Sequence, residues 1–240
     1  MALVAILGMH RSGTSAVAGM LDVHGVEFGP VRTRNRFNRR GNRELPDLNE
    51  LHGELLERSG GTWWDPPATV EVTADDLRRR DEILATVEGD PAAVKDPRML
   101  VCPGLWHDVE LKRIGVVRNP VSVRRSLARR AAERPHKHPE FSARQWEDLW
   151  ATYNRALLAE HERSEFPVID FDRDYDLERQ VVDALRFWEL DAGGESGFFD
   201  RDLVGHASET DWREEAESSD ALELWDALSA LASRSPDEAD

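Results

Sequence analysis

The chain has 240 residues, 40% of them hydrophobic, a single cysteine and a formal net charge of −16. No stretch approaches the ~18 apolar residues of a membrane span, Cys102 alone excludes an internal disulfide, and the acidity speaks against general nucleic-acid binding. The N-terminus has no basic, apolar leader, so a single α/β domain in a reducing cytoplasm is the expectation.

In chain order, the apolar run Leu3–Leu7 predicts a strand and residues 14–24 a helix, with Val17, Met20 and Leu21 at helical spacing. Residues 30–43 form a basic loop holding Arg32, Arg34, Arg36, Arg39, Arg40 and Arg43 without an acid. Leu48, Leu51, Leu55 and Leu56 recur three and four apart, which predicts a helix ended near Gly60-Gly61. An aromatic loop with Trp63 and Trp64 follows, then a helix capped by Thr73 and running to about Val87. Ala92–Lys95 and Arg113–Val117 are further strands, Pro120–Ala132 and residues 142–163 helices, Pro167–Phe171 a strand and Leu177–Leu190 a helix. This alternation predicts a P-loop type parallel sheet with helices on both faces, and ligands at the carboxyl ends of its strands. Residues 1–199 form that domain. Residues 200–240 are an acidic segment with thirteen Asp/Glu against three Arg, and one helix, Ser219–Ala232, able to dock on it.

Three motifs fall at the predicted strand ends. The first, Gly8-Met9-His10-Arg11-Ser12-Gly13-Thr14-Ser15, keeps the frame of a phosphate-binding loop but has Thr14 where an ATP-binding loop has its lysine. Glycines at 8 and 13 allow close backbone approach, the helix start favours an anion, and Arg11 adds a bidentate grip on phosphate or sulfate oxygens. The second is Lys95-Asp96-Pro97-Arg98. The third is Arg118, with Ser126 eight residues on, a spacing that lets both meet one further phosphate. Residues 112–130 carry Lys112, Arg113, Arg118, Arg124, Arg125, Arg129 and Arg130 and no acid, a second stretch of positive potential suited to an anion. His136-Lys137-His138 lacks partners at metal-ligand spacing, so no metal is expected.

Together these residues resemble the sulfotransferases that use 3′-phosphoadenosine 5′-phosphosulfate. Residues 8–15 are similar to that family's 5′-phosphosulfate loop, and Gly115–Pro120 with Ser126 to its 3′-phosphate site. Lys95-Asp96-Pro97 resembles the lysine motif of the tyrosylprotein branch and its bacterial relatives. Gly41-Asn42-Arg43-Glu44 with Asp47-Leu48-Asn49 resembles a bacterial segment that carries a glutamate base. Two positions depart from it: Arg43 stands where the pattern has tryptophan, and His52 where it has asparagine. The resemblance implies metal-independent transfer of a sulfuryl group to a hydroxyl or amine acceptor, either a small molecule or a glycan. In it Arg11 and Lys95 offset charge and Glu44 is the base. His10, Arg11, Ser12, Gly13, Thr14, Ser15, Arg118 and Ser126 hold the cosubstrate. His52 is the rival base, and the other readings are a P-loop kinase or a non-catalytic nucleotide-binding relative. The loop at 30–43 and Trp63-Trp64 border the acceptor and favour an acidic or flat-ringed one.

Overall fold

In the computed structural model, residues 2–31, 41–173, 176–191, 197–199 and 212–232 are described. Five of the loop arginines, Arg32, Arg34, Arg36, Arg39 and Arg40, lie outside them. Strands β1 (Leu3–Leu7), β2 (Ala92–Lys95), β3 (Lys112–Val117) and β4 (Val168–Asp170) form one sheet in the order β2-β1-β3-β4. All three pairings are parallel, with Leu3 opposite Ala92, Val4 opposite Lys112 and Gly115 opposite Val168. Every residue of β1 is buried. A central parallel strand covered on both faces requires such an unbroken apolar run.

Side chains alternate across the strands and build two cores. Val4, Ile6, Ala93, Ile114, Val116 and Ile169 face helices α1 (Thr14–Val23) and α6 (Leu177–Phe187). Leu3, Ala5, Leu7, Val94, Val117 and Val168 face α2 (Pro46–Arg58), α4 (Pro120–Glu133) and α5 (Ala143–Arg163). Helix α3 (Ala74–Leu84) lies at the edge of that second core. Its N-cap, Thr73, makes a capping box with Asp76. The helix stops at Leu84, earlier than the spacing predicts, because Thr86 and Val87 turn back onto Ile83 and Leu84 and bury Val87. Helix α6 likewise ends early. Glu189 takes a left-handed φ of 55°, and Trp188 turns inward to donate its Nε1–H to the Arg113 carbonyl at 2.8 Å. The periodicity missed two 3-10 turns, Pro97–Leu100 and Pro103–Leu105, between β2 and β3.

Helix α7 (Ser219–Ala232) packs against α5, and Ala221, Leu224, Trp225 and Leu228 join the second core. Fully buried Glu147 of α5 makes the junction. Its Oε1 accepts from Arg124 at 2.6 Å, and its Oε2 accepts the backbone N–H groups of Glu217 and Ser218, each at 2.7 Å. Arg125 grips both oxygens of Glu215 at 2.6 Å, and Arg155 meets Asp220 at 2.8 Å. This corrects the reading of residues 112–130 as one anion-binding stretch. Arg124 and Arg125 hold the acidic C-terminal segment, Lys112 donates to the Trp188 carbonyl, and Arg113 pairs with Glu160. Within that stretch only Arg118, Arg129 and Arg130 act on Arg11 of the first motif.

Candidate active site

The carboxyl ends of the four strands put all three motifs at one edge of the sheet. From β1, the chain enters a turn in which Arg11 (φ 73°) and Gly13 (φ 95°) are both left-handed. Such alternation points successive backbone N–H groups into one concavity. A non-glycine residue in that region is held at a cost of order 1–3 kcal/mol and is typical of functional loops. Gly13 has no alternative, since a Cβ there would lie 2.1 Å from the Phe171 ring, and a Cβ at Gly8 would lie 2.5 Å from the Val116 carbonyl oxygen. Thr14 and Ser15 open α1 directly behind the turn. Ser12 is fully buried, and its Oγ has no hydrogen-bond partner among the described residues. A buried orphan hydroxyl inside an N–H concavity fits a ligand that brings its own acceptors.

On the β3 side, the Arg11 Nε donates to Ser126 Oγ at 2.9 Å, so loop and α4 meet. Burial first, then Arg130, Arg118 and Arg129, pull the Arg11 guanidinium down to about 10. Arg118 lies over the Phe171 ring at 5.3 Å and reaches Asp172 at 3.4 Å, and Trp150 Nε1 donates to its carbonyl at 2.9 Å. Arg118, Arg129 and Arg130 thus crowd Arg11 with like charge, while Asp172 stands beside Arg118 and Glu44 acts on Arg130. The sequence places Ser126 with Arg118; the structure adds that Ser126 touches Arg11 and that Asp172 holds Arg118.

On the β2 side, buried Lys95 is the link. Its Nζ donates to Ser15 Oγ at 3.1 Å and pairs with Glu44 Oε1 at 2.7 Å, while Asn42 Nδ2 donates to Glu44 Oε2 at 2.9 Å. A cation and a carboxylate thus stand together at the mouth of the loop. Arg43 turns away from them and pairs with Asp22 of α1 at 2.6 Å. His52 is fully buried: Trp106 Nε1 donates to its Nε2 at 3.2 Å, which leaves Nδ1 to donate to Asp96 at 2.8 Å. With both nitrogens engaged inside the core, His52 has no free atom to serve as a base. Burial favours the neutral Asp96 carboxyl, but Arg98 and His52 outweigh it and hold the group well below the usual carboxylate range.

His10 sits between these halves. Its ring lies 4.4 Å from Trp63 and 6.0 Å from Tyr153, and its Nε2 is buried without a partner among the described residues. Burial, then Arg98, hold His10 well below its usual pKa, so the ring is neutral. Sequence reasoning quoted Asn42, Arg98 and Arg130 within its motifs and basic stretch but gave none of them a role of its own. Arg130 was findable, since it lies one helical turn beyond Ser126 on the same face. Among the described residues no cluster of His, Cys, Asp or Glu is arranged to hold a metal ion, and no helix is long and apolar enough to cross a membrane.

No family model and no curated protein matches the chain. Solved structures do, and two of them are sulfotransferase domains. The sulfotransferase domain of the Synechococcus PCC 7002 olefin synthase superposes with a TM-score of 0.59 at 16% identity, covering 95% of this chain and 94% of its own. The sulfotransferase domain from the curacin biosynthetic pathway gives 0.50 at 15% identity, covering 95% and 97%. The chain therefore has the fold of bacterial sulfotransferase domains over nearly its whole length.

Proposed function

We propose that the chain transfers a sulfuryl group from 3′-phosphoadenosine 5′-phosphosulfate to a hydroxyl acceptor. The observation that carries this reading is Lys95, which bridges Ser15 of the loop at 3.1 Å and Glu44 at 2.7 Å. The orphan Ser12 hydroxyl and the Arg11–Ser126–Arg118 group fit the two anionic ends of the cosubstrate. Residues 10–15 hold its 5′ end and Arg118 with Ser126 its 3′-phosphate. When bound, the cosubstrate supplies a sulfur whose bond to the phosphate oxygen breaks as the acceptor oxygen bonds to it. Glu44 takes the proton released by that hydroxyl, a role worth about 10²–10⁴ in rate. Its carboxylate has lone pairs left beyond those used by Lys95 and Asn42. Lys95 and Arg11 face the negative charge left on the departing phosphate, so preorganised cations do the electrostatic work.

The test is a sulfate-transfer assay run beside calorimetry with 3′-phosphoadenosine 5′-phosphate. Glu44→Gln keeps nucleotide affinity and loses transfer by about 10²-fold or more. His52→Ala loses stability by about 1–3 kcal/mol, because Trp106 Nε1 is stranded, yet retains transfer in the folded fraction. The opposite ranking returns the base to His52. Absence of bisphosphate binding in the parent chain removes the reading.

A further inference from the structure

Helix α1 carries a stripe that meets the segment holding Glu44. Ser15, Gly19 and Asp22 stand four and three residues apart, on one side of the helix. Ser15 Oγ accepts from Lys95 Nζ at 3.1 Å. Asp22 Oδ2 accepts twice from Arg43, from Nε at 2.8 Å and from a terminal nitrogen at 2.6 Å. Gly19 lets the Phe198 ring lie on the helix, since a Cβ there would come within 2.1 Å of that ring. The same ring faces the Arg43 guanidinium at 5.0 Å, a cation–π contact. The Asp22 side chain is 47% exposed and that of Arg43 12%. An ion pair so open on its acidic side is weak alone, so the ring and the shielding of the guanidinium complete the clasp.

What the clasp holds is a strained turn. Gly41 (φ 89°) and Arg43 (φ 50°) are both left-handed. Glycine adopts that conformation freely, whereas arginine keeps it only where its surroundings fix it. Directly after the turn, Glu44 meets Lys95 at 2.7 Å and Asn42 at 2.9 Å, and Leu45 is buried at the head of α2. The contacts close a ring. It runs from Ser15 to Lys95, to Glu44, along the chain to Arg43, across to Asp22, and back down α1 to Ser15, about 10 Å along the helix axis. A carboxylate in such a ring is fixed relative to both ends of one helix, and the phosphate-type loop leads straight into that helix.

Resting on the sulfuryl-transfer reading for its effect on rate, we propose that Arg43 is a positioning residue, which through Asp22 and Phe198 sets the Glu44 carboxylate against Lys95 and the 8–15 loop. Arg43 acts on the reaction only through Glu44. Removing the clasp frees the turn to relax, and the carboxylate leaves the place where it meets both Lys95 and the acceptor hydroxyl.

Arg43→Ala, Asp22→Ala and the double variant, each with and without Glu44→Gln, test this. Melting comes first. Glu44→Gln lowers the melting temperature of the parent chain, because buried Lys95 loses its carboxylate. In the Arg43→Ala and Asp22→Ala backgrounds the same change lowers it by about half as much or less, since Glu44 is no longer held there. Equal decrements in all backgrounds overturn the proposal. For rate, transfer from 3′-phosphoadenosine 5′-phosphosulfate to 4-nitrophenol is followed beside calorimetry with 3′-phosphoadenosine 5′-phosphate. Each single variant loses kcat by about tenfold or more, with the KM for the cosubstrate and the bisphosphate affinity within about twofold of the parent. The double variant is no slower than the slower single one, as partners in one contact require. Full activity in Asp22→Ala overturns the proposal, as do losses that multiply in the double variant or a parallel loss of bisphosphate affinity. If Arg43→Ala does not fold, Asp22→Ala, altered at an exposed side chain, carries the test. The melting cycle needs neither ligand nor turnover. It decides the proposal when 4-nitrophenol is left untouched and when the parent binds no bisphosphate, an outcome that by itself ends only the sulfuryl-transfer reading.

Discussion

Arg11 does three things at once: it holds a left-handed backbone, donates to Ser126 and points a guanidinium into a crowd of like charges. An anion in the loop relieves that crowding, so Arg11→Ala weakens 3′-phosphoadenosine 5′-phosphate by about 1.5–3 kcal/mol, the worth of a charge-assisted hydrogen bond; unchanged affinity by calorimetry takes Arg11 out of the site. A second residue ties stability to pH. Burial, then the neighbouring Asp172, raise the Asp170 carboxyl to about 6. The folded state thus holds this proton more tightly than the unfolded one. Its contribution is full below the ordinary carboxyl pKa and is lost as pH rises through about 6. A rise of about two units corresponds to ~3 kcal/mol. Asp170→Asn can still accept the Asp172 N–H. The variant should melt above the parent chain at pH 8 and level with it at pH 4; equal melting at both sets the burial argument aside.

Among the elements, α5 positions Arg118 and the Ser126 end of α4, the proposed anion site, without contributing a ligand to it. Trp150 holds the Arg118 carbonyl, and Glu147, one turn earlier, holds Arg124, two residues before Ser126. Glu147→Gln keeps the shape and removes the charge that Arg124 needs. Breaking a buried pair of this kind costs about 3–5 kcal/mol, so melting should fall accordingly. The preference for the bisphosphate over AMP should fall too, a change that loss of stability alone does not produce. A variant with lowered melting and intact preference confines Glu147 to the fold. The elements were largely legible in the sequence: Leu3–Leu7 is an apolar run stopped by glycine, Ala92–Val94 is one followed by Lys95 and stopped by Asp-Pro, and α5 carries its buried stripe at a regular period. The loop motif was legible because its glycines and hydroxyls are contiguous. Glu147 was not, because a buried acid on an amphipathic helix reads as a surface residue until Arg124 and the start of α7 arrive from distant parts of the chain. His52 was misleading for the same reason, its partners Asp96 and Trp106 lying 44 and 54 residues away.

For the whole molecule, the proposed reading divides the nucleotide between two strand ends, with the loop after β1 on the 5′ side and Arg118 after β3 on the 3′ side. 3′-Phosphoadenosine 5′-phosphate should then bind at least about tenfold tighter than AMP or ADP, ~1.4 kcal/mol or more. Arg118→Ala should erase most of that preference with AMP affinity nearly unchanged, and EDTA should alter neither. Titrations in which ATP with magnesium binds best, or in which Arg118→Ala weakens AMP equally, favour a kinase instead. The docking of α7 has a consequence for how the chain matures. Glu147 and the arginines of α4 leave the ribosome well before Ser218 does. Until it arrives, one oxygen of a carboxylate destined for full burial lacks its N–H partners, and the apolar stripe of α5 lacks the cover of Leu224, Trp225 and Leu228. A nascent chain that has every residue of the proposed anion site is therefore still unfinished in its core. Sticky intermediates are the rule at such a stage, and a stop codon before Ser219 would abolish a protein rather than shorten one.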